Sequence, residues 1–470
     1  MSTSTSPESA YRSPTAPGSK TATAPGSPTA PGSLPDDRVR FSRFSQFRPT
    51  SAPFIKDNPY HRPLDPERVA ALDWSRPITE ETFTSDRSLL ANRLLMNVYE
   101  SDALFLPAAG LRKFEADFHA FYHSDSRRAG DLIRPETERF AFGFLDDTVS
   151  VSGQWDEETL RAHLRHAVDR ANSPAVRPAF EAIRAAKNPK VAAGSQIVQM
   201  ALDGLTEATA MSQNLGGAFG PEQSELFKIF VDEFGYGVFP AKHSTLFMDL
   251  CSSVGMATTS HHYWFFYLPS SIAINNYFYW ATRNRTGFFR YIGAMAFLEA
   301  TFAAWFGDLT KVFRDVYGDT VDTRYCDEHA HIDQHHGRMA IDDLLIPLAR
   351  KHGPVAVKGL LQGVEEIQYL DRLAGADLLR QITWDPALSG TPEDAPAGAV
   401  GELDANSAFD TQVAAVDTRL RVLSGEALLY HSATDDPLRV PQGSSVLVPA
   451  GRLYGVRAES RAEIATGPEA

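Results

Sequence analysis

The sequence predicts a mainly α-helical protein that ends in a small β domain. Apolar residues recur at helical spacing over most of the chain, and short alternating runs between glycines follow Pro386. The chain has 470 residues, of which 43% are hydrophobic and 22% charged. It is therefore long enough for two or three domains with substantial cores.

The first 55 residues differ in composition from the rest of the chain. They are rich in Ser, Thr, Pro, Gly and Ala, and the unit TAPGS occurs at 15–19, 23–27 and 29–33. Such a segment cannot bury enough apolar surface to offset the entropy that it would lose on ordering. We expect residues 1–55 to form a disordered tail.

Two helical regions follow the tail. Residues 60–190 show helical spacing, for example at Leu90, Leu94 and Val98, without a pattern that carries chemistry, so we expect a packing subdomain and a homodimer that uses it. In the second region, 191–385, Gly and Pro separate the candidate helices. These are 196–213, 221–233, 241–254, 270–283, 288–317, 325–350 and 354–373.

The last region, 400–465, has period-two patterning between Gly425, Gly443 and Gly451, which is typical of strands and turns. We expect a small β domain there.

Composition excludes several classes of function. The formal charge is −14 and no long run of Lys and Arg occurs, so we expect no nucleic-acid partner. Cys251 and Cys326 are the two cysteines, too few for a disulfide framework or an iron-sulfur site. Because the sequence also lacks a signal-peptide core and a long uninterrupted apolar stretch, we expect a cytoplasmic protein without a membrane partner.

The segment 326–336 contains most of the chemical information. On a helix, His329, Asp333 and His336 lie within about 60° of one another, so one face presents two imidazoles and a carboxylate. His331 and His335 form a rival pair on another face, and a solvated polar face is a further alternative. Histidine density alone does not choose between these registers.

Carboxylates elsewhere favour the first register. Glu207 and Glu299 occur among apolar residues of predicted helices, where an unpaired charge is costly. Glu233 ends one predicted helix and His243 opens the next. Taken alone, Glu207 fits a surface salt bridge and His243 a core histidine. Together the seven residues give the oxygen and nitrogen donors that suit two iron or manganese ions in a helical bundle.

The series Glu207, Glu233-x9-His243, Glu299 and His329-x3-Asp333-x2-His336 resembles the haem-oxygenase-like di-iron oxidases and oxygenases over about residues 195–375. The resemblance implies a haem-oxygenase-like helical bundle in which these seven residues are metal ligands. It also implies two iron ions that cycle between Fe(II) and Fe(III), O2 as co-substrate, and an external reductant.

The order of helical subdomain, di-iron domain and β domain is similar to that of natural-product N-oxygenases with a C-terminal cupin. Residues 423–426 and 442–456 resemble a shortened cupin, yet Tyr454 stands where cupins place a metal-binding histidine, and His431 is the one histidine of this region. We therefore expect a cupin-like domain without metal.

The resemblance implies a monooxygenase that oxidises an amine or guanidine nitrogen of a small amino-acid-like substrate to a hydroxylamine, nitroso or nitro product. Alternatives are a desaturase or C–C bond-cleaving oxidase with the same cofactor, and a non-catalytic metal-binding scaffold. No nucleotide-binding glycine motif occurs, so the electron donor is expected to be external. Arg283, on the helix before Glu299, is a candidate for binding a substrate carboxylate.

Overall fold

The computed structural model describes residues 34–48, 57–173, 177–390 and 399–469. Helices occupy these residues as far as Ile382, and antiparallel strands follow, so the predicted fold class is confirmed. The predicted disordered tail needs a correction. Residues 1–33 and 49–56 lie outside the described residues, but Leu34–Ser42 is a helix. Its Phe41 is buried and supplies the apolar surface that the TAPGS repeats lack.

The N-terminal region contains a long buried helix, α3 (Asp86–Glu100), which packs against α5 (Ser124–Phe142) and against α13 (Pro269–Arg283) of the central region. The other helices of the N-terminal region are α1 (Leu34–Ser42), α2 (Pro66–Ala71), α4 (Glu115–Phe121), α6 (Phe144–Thr148), α7 (Glu157–Ala171) and α8 (Pro178–Ala185). Nearly every side chain of α3 is buried, including its polar ones. This region shares continuous apolar cores with the helices that follow it.

The central region is a bundle of longer helices. These are α9 (Pro189–Gly204), α10 (Thr209–Ser212), α11 (Pro221–Glu233), α12 (His243–Ser253), α13 (Pro269–Arg283), α14 (Phe288–Tyr317), α15 (Arg324–Arg338), α16 (Ile346–His352) and α17 (Pro354–Ile382). Between α15 and α16, residues Met339–Leu345 are π-helical. The helix over Arg285–Thr320 is the one segment in the described part of the chain with the length and apolarity of a membrane span, and 56% of that apolar window is buried in the protein.

The C-terminal region is a sandwich of two antiparallel sheets. Its strands are β1 (Leu388–Gly390), β2 (Ala399–Leu403), β3 (Ala408–Val413), β4 (Thr418–Ser424), β5 (Glu426–Tyr430), β6 (Leu438–Pro441), β7 (Ser444–Val448), β8 (Leu453–Ala458) and β9 (Ala462–Pro468). The sheet orders are β1-β7-β4-β9-β2 and β3-β8-β5-β6. Inward residues from both sheets, such as Leu420 and Val456, form one core.

Side-chain hydrogen bonds join the sandwich to the helices. The Gln381 amide donates to the carbonyls of His431 (2.8 Å) and Leu453 (3.0 Å) and accepts from the Leu453 N–H (2.9 Å). The buried Arg93 of α3 donates to the Thr411 hydroxyl at 2.7 Å. Because these partners are buried polar groups, separating the two parts would leave them unsatisfied.

Two glycines allow α14 and α17 to approach closely. A Cβ atom at Gly293 would lie 1.9 Å from the carbonyl oxygen of Leu360, and one at Gly363 would lie 2.0 Å from that of Arg290. Such contacts are shorter than any tolerated separation, so an alanine at either position would push the helices apart. The position of Glu299, which lies on α14, depends on this crossing.

We expect Gly363→Ala to destabilise the protein by about 1–3 kcal/mol or more through overpacking. Gly307→Ala is the matched control because it lies on α14 with no atom within 4 Å of the added Cβ. That change should be neutral or slightly stabilising, since alanine has the higher helix propensity. Thermal unfolding followed by circular dichroism measures both, and equal midpoints for the two variants would contradict the packing described here.

Candidate metal centre

Five segments of the helical bundle converge on one buried cluster of acidic and imidazole side chains. Glu207 follows α9, Glu233 ends α11, His243 begins α12, Glu299 lies in the middle of α14, and α15 supplies the rest. The seven residues expected from the sequence form two groups that share Glu233, and all are buried. One group is Glu207, Glu233, His243 and His329; the other is Glu233, Glu299, Asp333 and His336.

The ligand atoms in each group are close enough to surround one ion. Within each group, one nitrogen or oxygen from every residue lies within 4.8 Å of all the others. The sharing of Glu233 places the two groups side by side, as a bridging carboxylate does in a two-metal site. The arrangement therefore offers two adjacent positions of mixed oxygen and nitrogen donors.

Helix α15 shows which register of the histidine-rich segment faces the cluster. His329, Asp333 and His336 are at most 5% exposed, whereas His331 and His335 lie on the solvent side. The rival pair contributes to neither group. Residues three and four apart share a helix face, and the apolar residues of α15 place that face inward.

Glu207 lies outside the helix in which the sequence placed it. Helix α9 ends at Gly204, and both Glu207 (φ 44°) and Ala208 (φ 51°) have left-handed backbone conformations. The Glu207 N–H still donates to the Asp203 carbonyl at 2.7 Å. Non-glycine residues rarely adopt positive φ, and such strain is concentrated at functional sites. The break turns the Glu207 carboxylate into the cluster.

Two of the imidazoles are held in orientation by hydrogen bonds from the ring nitrogen that faces away from the cluster. His329 Nδ1 lies 2.9 Å from the Tyr325 carbonyl oxygen, which leaves Nε2 toward Glu233. His336 Nε2 lies 3.0 Å from Asp232 Oδ2, which leaves Nδ1 within 3.3 Å of both Glu299 and Asp333. Metal-binding histidines commonly use their second nitrogen in this way. Asp232 is a positioning residue that the sequence did not single out, although it adjoins Glu233.

Several buried atoms of the cluster have no partner at hydrogen-bonding geometry. They are Glu207 Oε2, His243 Nδ1, both carboxylate oxygens of Asp333 and His336 Nδ1. Leaving a buried polar group unsatisfied costs about 1–3 kcal/mol, and more for a charged group. Metal ions would satisfy these atoms, and carboxylate and imidazole donors suit iron or manganese. The residues present therefore fit a two-metal site.

The electrostatics of the cluster show an excess of negative charge. Burial, followed by the charges of Glu299 and Glu233, raises the pKa of Asp333 to about 8. Burial and the neighbouring Asp203 and Glu233 also raise the pKa of Glu207 well above its usual value. Two divalent cations would offset this repulsion.

The pKa values of two imidazoles in the cluster shift in opposite directions. Burial and the neighbouring His243 lower the pKa of His329 to about 4, so this ring is neutral and able to bind a metal. Burial also disfavours charge on His336, but the carboxylates of Asp333 and Glu299, each 3.3 Å from Nδ1, raise its pKa to about 12. A metal at the second group would therefore have to displace a proton from His336.

A cavity of about 310 Å³ opens onto the cluster. Its wall includes Glu207, Glu233, Glu299 and His329, and aromatic rings form much of the remainder. The larger cleft of about 950 Å³ lies between α5, α13 and α14 and contains none of the seven residues. We assign the smaller cavity to the chemistry because it contacts the candidate ligands.

Arg283, the candidate substrate contact on α13, lies away from this cavity. Asn275 and Tyr279 line the cavity, but Arg283 does not, because its guanidinium forms salt bridges with Asp102 and Asp131. Asp203, which the sequence did not single out, does line it. Its position four residues before Glu207 in the sequence, one helical turn apart on the predicted helix, was the available signal.

The β sandwich presents a different environment. His431 lies 3.5 Å from Asp435 and contacts the Trp384 ring. Tyr454 is buried, and its hydroxyl accepts a hydrogen bond from the Gln412 amide at 2.8 Å. Within 399–469, no group of three metal-binding side chains comes together. The metal-free and cupin-like character of this region stays a prediction.

Comparisons with known proteins agree with the ligand pattern. A family described as iron-containing redox enzyme matches residues 196–371, which include all seven candidate ligands. Nitrosourea synthase from Streptomyces achromogenes subsp. streptozoticus is 39% identical over 422 residues, which cover 86% of this chain and 88% of that protein. The resemblance drawn from the sequence is thereby confirmed, and the chain belongs to the haem-oxygenase-like iron-containing redox enzymes, as a homologue of nitrosourea synthase.

Proposed function

We propose that this oxidoreductase is a di-iron, O2-dependent N-oxygenase of natural-product biosynthesis. Its substrate would be a small amino-acid-like molecule with an amine or guanidine nitrogen. The observation that carries the proposal is the pair of four-residue ligand groups that share Glu233. The homology to nitrosourea synthase supports oxidation at nitrogen over desaturation or C–C cleavage.

The proposed reaction converts an N–H bond into N–OH. One oxygen atom of O2 enters the product and the other leaves as water, so each step consumes two electrons and two protons. When bound, two irons would supply the electrons that reduce O2. Because the sequence has no nucleotide-binding glycine motif, we assign those electrons to an external donor. Repeated steps on the same nitrogen would give nitroso or nitro products.

The residues of the chain have separate tasks in this reaction. Glu207, Glu233, His243 and His329 would hold one iron, and Glu233, Glu299, Asp333 and His336 the other. Asp232 and the Tyr325 carbonyl keep the imidazoles oriented. The aromatic walls of the cavity exclude water from the reacting nitrogen, which protects the oxidant from unproductive reduction.

Substitution of the α15 histidines should distinguish metal ligands from residues that do not bind metal. We expect His336→Ala to lose at least half of the bound iron, because it removes a donor from one of the two groups. His335→Ala changes the adjacent, exposed residue and should retain the wild-type content. Iron per chain is measured by plasma mass spectrometry after anaerobic loading. Equal iron in the two variants would contradict the assigned register.

Metal binding should release protons and strengthen as the pH rises. In the metal-free protein, Asp333, with a pKa of about 8, and His336, with a pKa of about 12, both hold a proton at neutral pH. A metal must displace these protons, so its apparent affinity should increase from about pH 6.5 to about pH 8. Titration calorimetry with Mn(II) in buffers of different ionisation enthalpy measures the release. An affinity independent of pH would be inconsistent with this cluster as the binding site.

Turnover tests the proposed reaction itself. Iron-loaded protein, a chemical reductant and 18O2 should add one labelled oxygen per step to the nitrogen of an amine or guanidine substrate, as detected by mass spectrometry. Loss of two hydrogens would instead indicate a desaturase, and loss of a carbon fragment a C–C bond-cleaving oxidase. The His336→Ala protein is the inactive control. O2 consumption that stops after one equivalent with every substrate would identify a metal-binding scaffold.

A further inference from the structure

The carboxylate of Asp203 occupies an unusual position in the cavity beside the metal cluster. Asp203 lies in the last turn of α9. Its side chain is exposed and forms part of the cavity wall. No hydrogen bond or ion pair to this carboxylate occurs among the residues that the structure describes. Neither metal-binding group includes it. Asp203 is therefore an acidic group near the cluster without a partner in the described part of the chain.

The rest of the cavity provides no positive charge to match it. No Lys or Arg lies in the wall as the structure describes it. Apart from Asp203 and the candidate metal ligands, the wall consists mainly of neutral amides, apolar side chains and aromatic rings, among them Gln196, Asn275, Phe278, Tyr279, Phe302 and Trp305. Lys242 packs over the Phe234 ring at 4.3 Å and acts electrostatically on Glu207. Lys242 does not line the cavity.

We infer that Asp203 binds the cationic group of the substrate and thereby holds its nitrogen against the metal cluster. An unpaired carboxylate beside aromatic faces is the chemistry that recognises a guanidinium or ammonium ion, through charge-assisted hydrogen bonds and cation–π contacts. A cavity of about 310 Å³ is large enough for a molecule of the size of an amino acid. The inference names the substrate class and rests on the proposed N-oxygenase function.

The location also determines which end of the substrate reacts. Glu207 and Glu233 line the same cavity as Asp203, and the charges of Glu233 and Glu299 act on it. A guanidinium or ammonium group paired with Asp203 would therefore lie next to the metals. The absence of an arginine from the wall leaves a substrate carboxylate without a partner at this end, so it would point away from the cluster. The end of the substrate that carries this nitrogen is thus presented to the oxidant, and the Asp203 carboxylate can accept the proton that the nitrogen loses before oxidation.

Binding to iron-loaded protein under anaerobic conditions tests the inference without turnover. The cationic probes are L-arginine, L-lysine and agmatine, and L-citrulline is the uncharged match for arginine. We expect wild-type protein to prefer arginine over citrulline by about tenfold or more, as a partly desolvated charged pair supports. Asp203→Asn preserves the shape and should reduce that preference to about twofold. Titration calorimetry gives the affinities.

Asp319→Asn removes an exposed acidic residue outside the cavity and should leave the preference unchanged. Three results would overturn the inference: no preference for any cationic probe in the wild type, an undiminished preference in Asp203→Asn, or loss of iron from Asp203→Asn, which would make the residue part of the metal site.

The proposed function fails separately. Preferential binding that depends on Asp203, followed by no oxygen transfer to nitrogen when O2 and reductant are added, would retain the cation site and reject the N-oxygenase. Oxygen transfer to the nitrogen of a neutral substrate, with an affinity unaffected by Asp203→Asn, would retain the N-oxygenase and reject the cation site.

Discussion

The need to neutralise buried negative charge organises the helical bundle. Carboxylates from three different segments, Glu207, Glu233 and Glu299, face one another in an interior where like charges repel strongly. Three imidazoles lie among them, but one of these, His329, is neutral because burial and the neighbouring His243 lower its pKa. The protein atoms alone leave an acidic surplus, which bound cations would offset.

The sequence predicted this cluster well because its signals are local. The spacing of His329, Asp333 and His336 depends on the helical repeat, and the breakers after Glu233 place His243 at a helix start, as observed. The pattern of apolar neighbours around Glu299 likewise indicated burial, which the structure confirms. Residue identity at readable spacing was sufficient for these positions.

Features that depend on tertiary geometry were predicted poorly. Helix α9 ends at Gly204, just before Glu207, but the apolar spacing continues across this glycine and indicated a continuous helix. Arg283 was placed near the cavity by its helix, but Asp102 and Asp131, both from the N-terminal region, bind it elsewhere. Asp203 escaped notice because an acidic residue near a helix end is ordinarily solvent-exposed. For Arg283 the deciding neighbours lie far away in sequence.

The contact between the β sandwich and α9 has a consequence for how this domain is retained. Thr434 packs against Gly194, where an added Cβ would lie 2.7 Å from its hydroxyl oxygen, and that hydroxyl also donates to the Val191 carbonyl at 3.3 Å. Helix α9 leads directly to Asp203 and Glu207. Whatever chemistry the β sandwich has of its own, it also braces α9, because its loss would remove these contacts from the helix that carries one wall of the cavity. A truncation that removes the β sandwich would therefore also impair the helical part that remains.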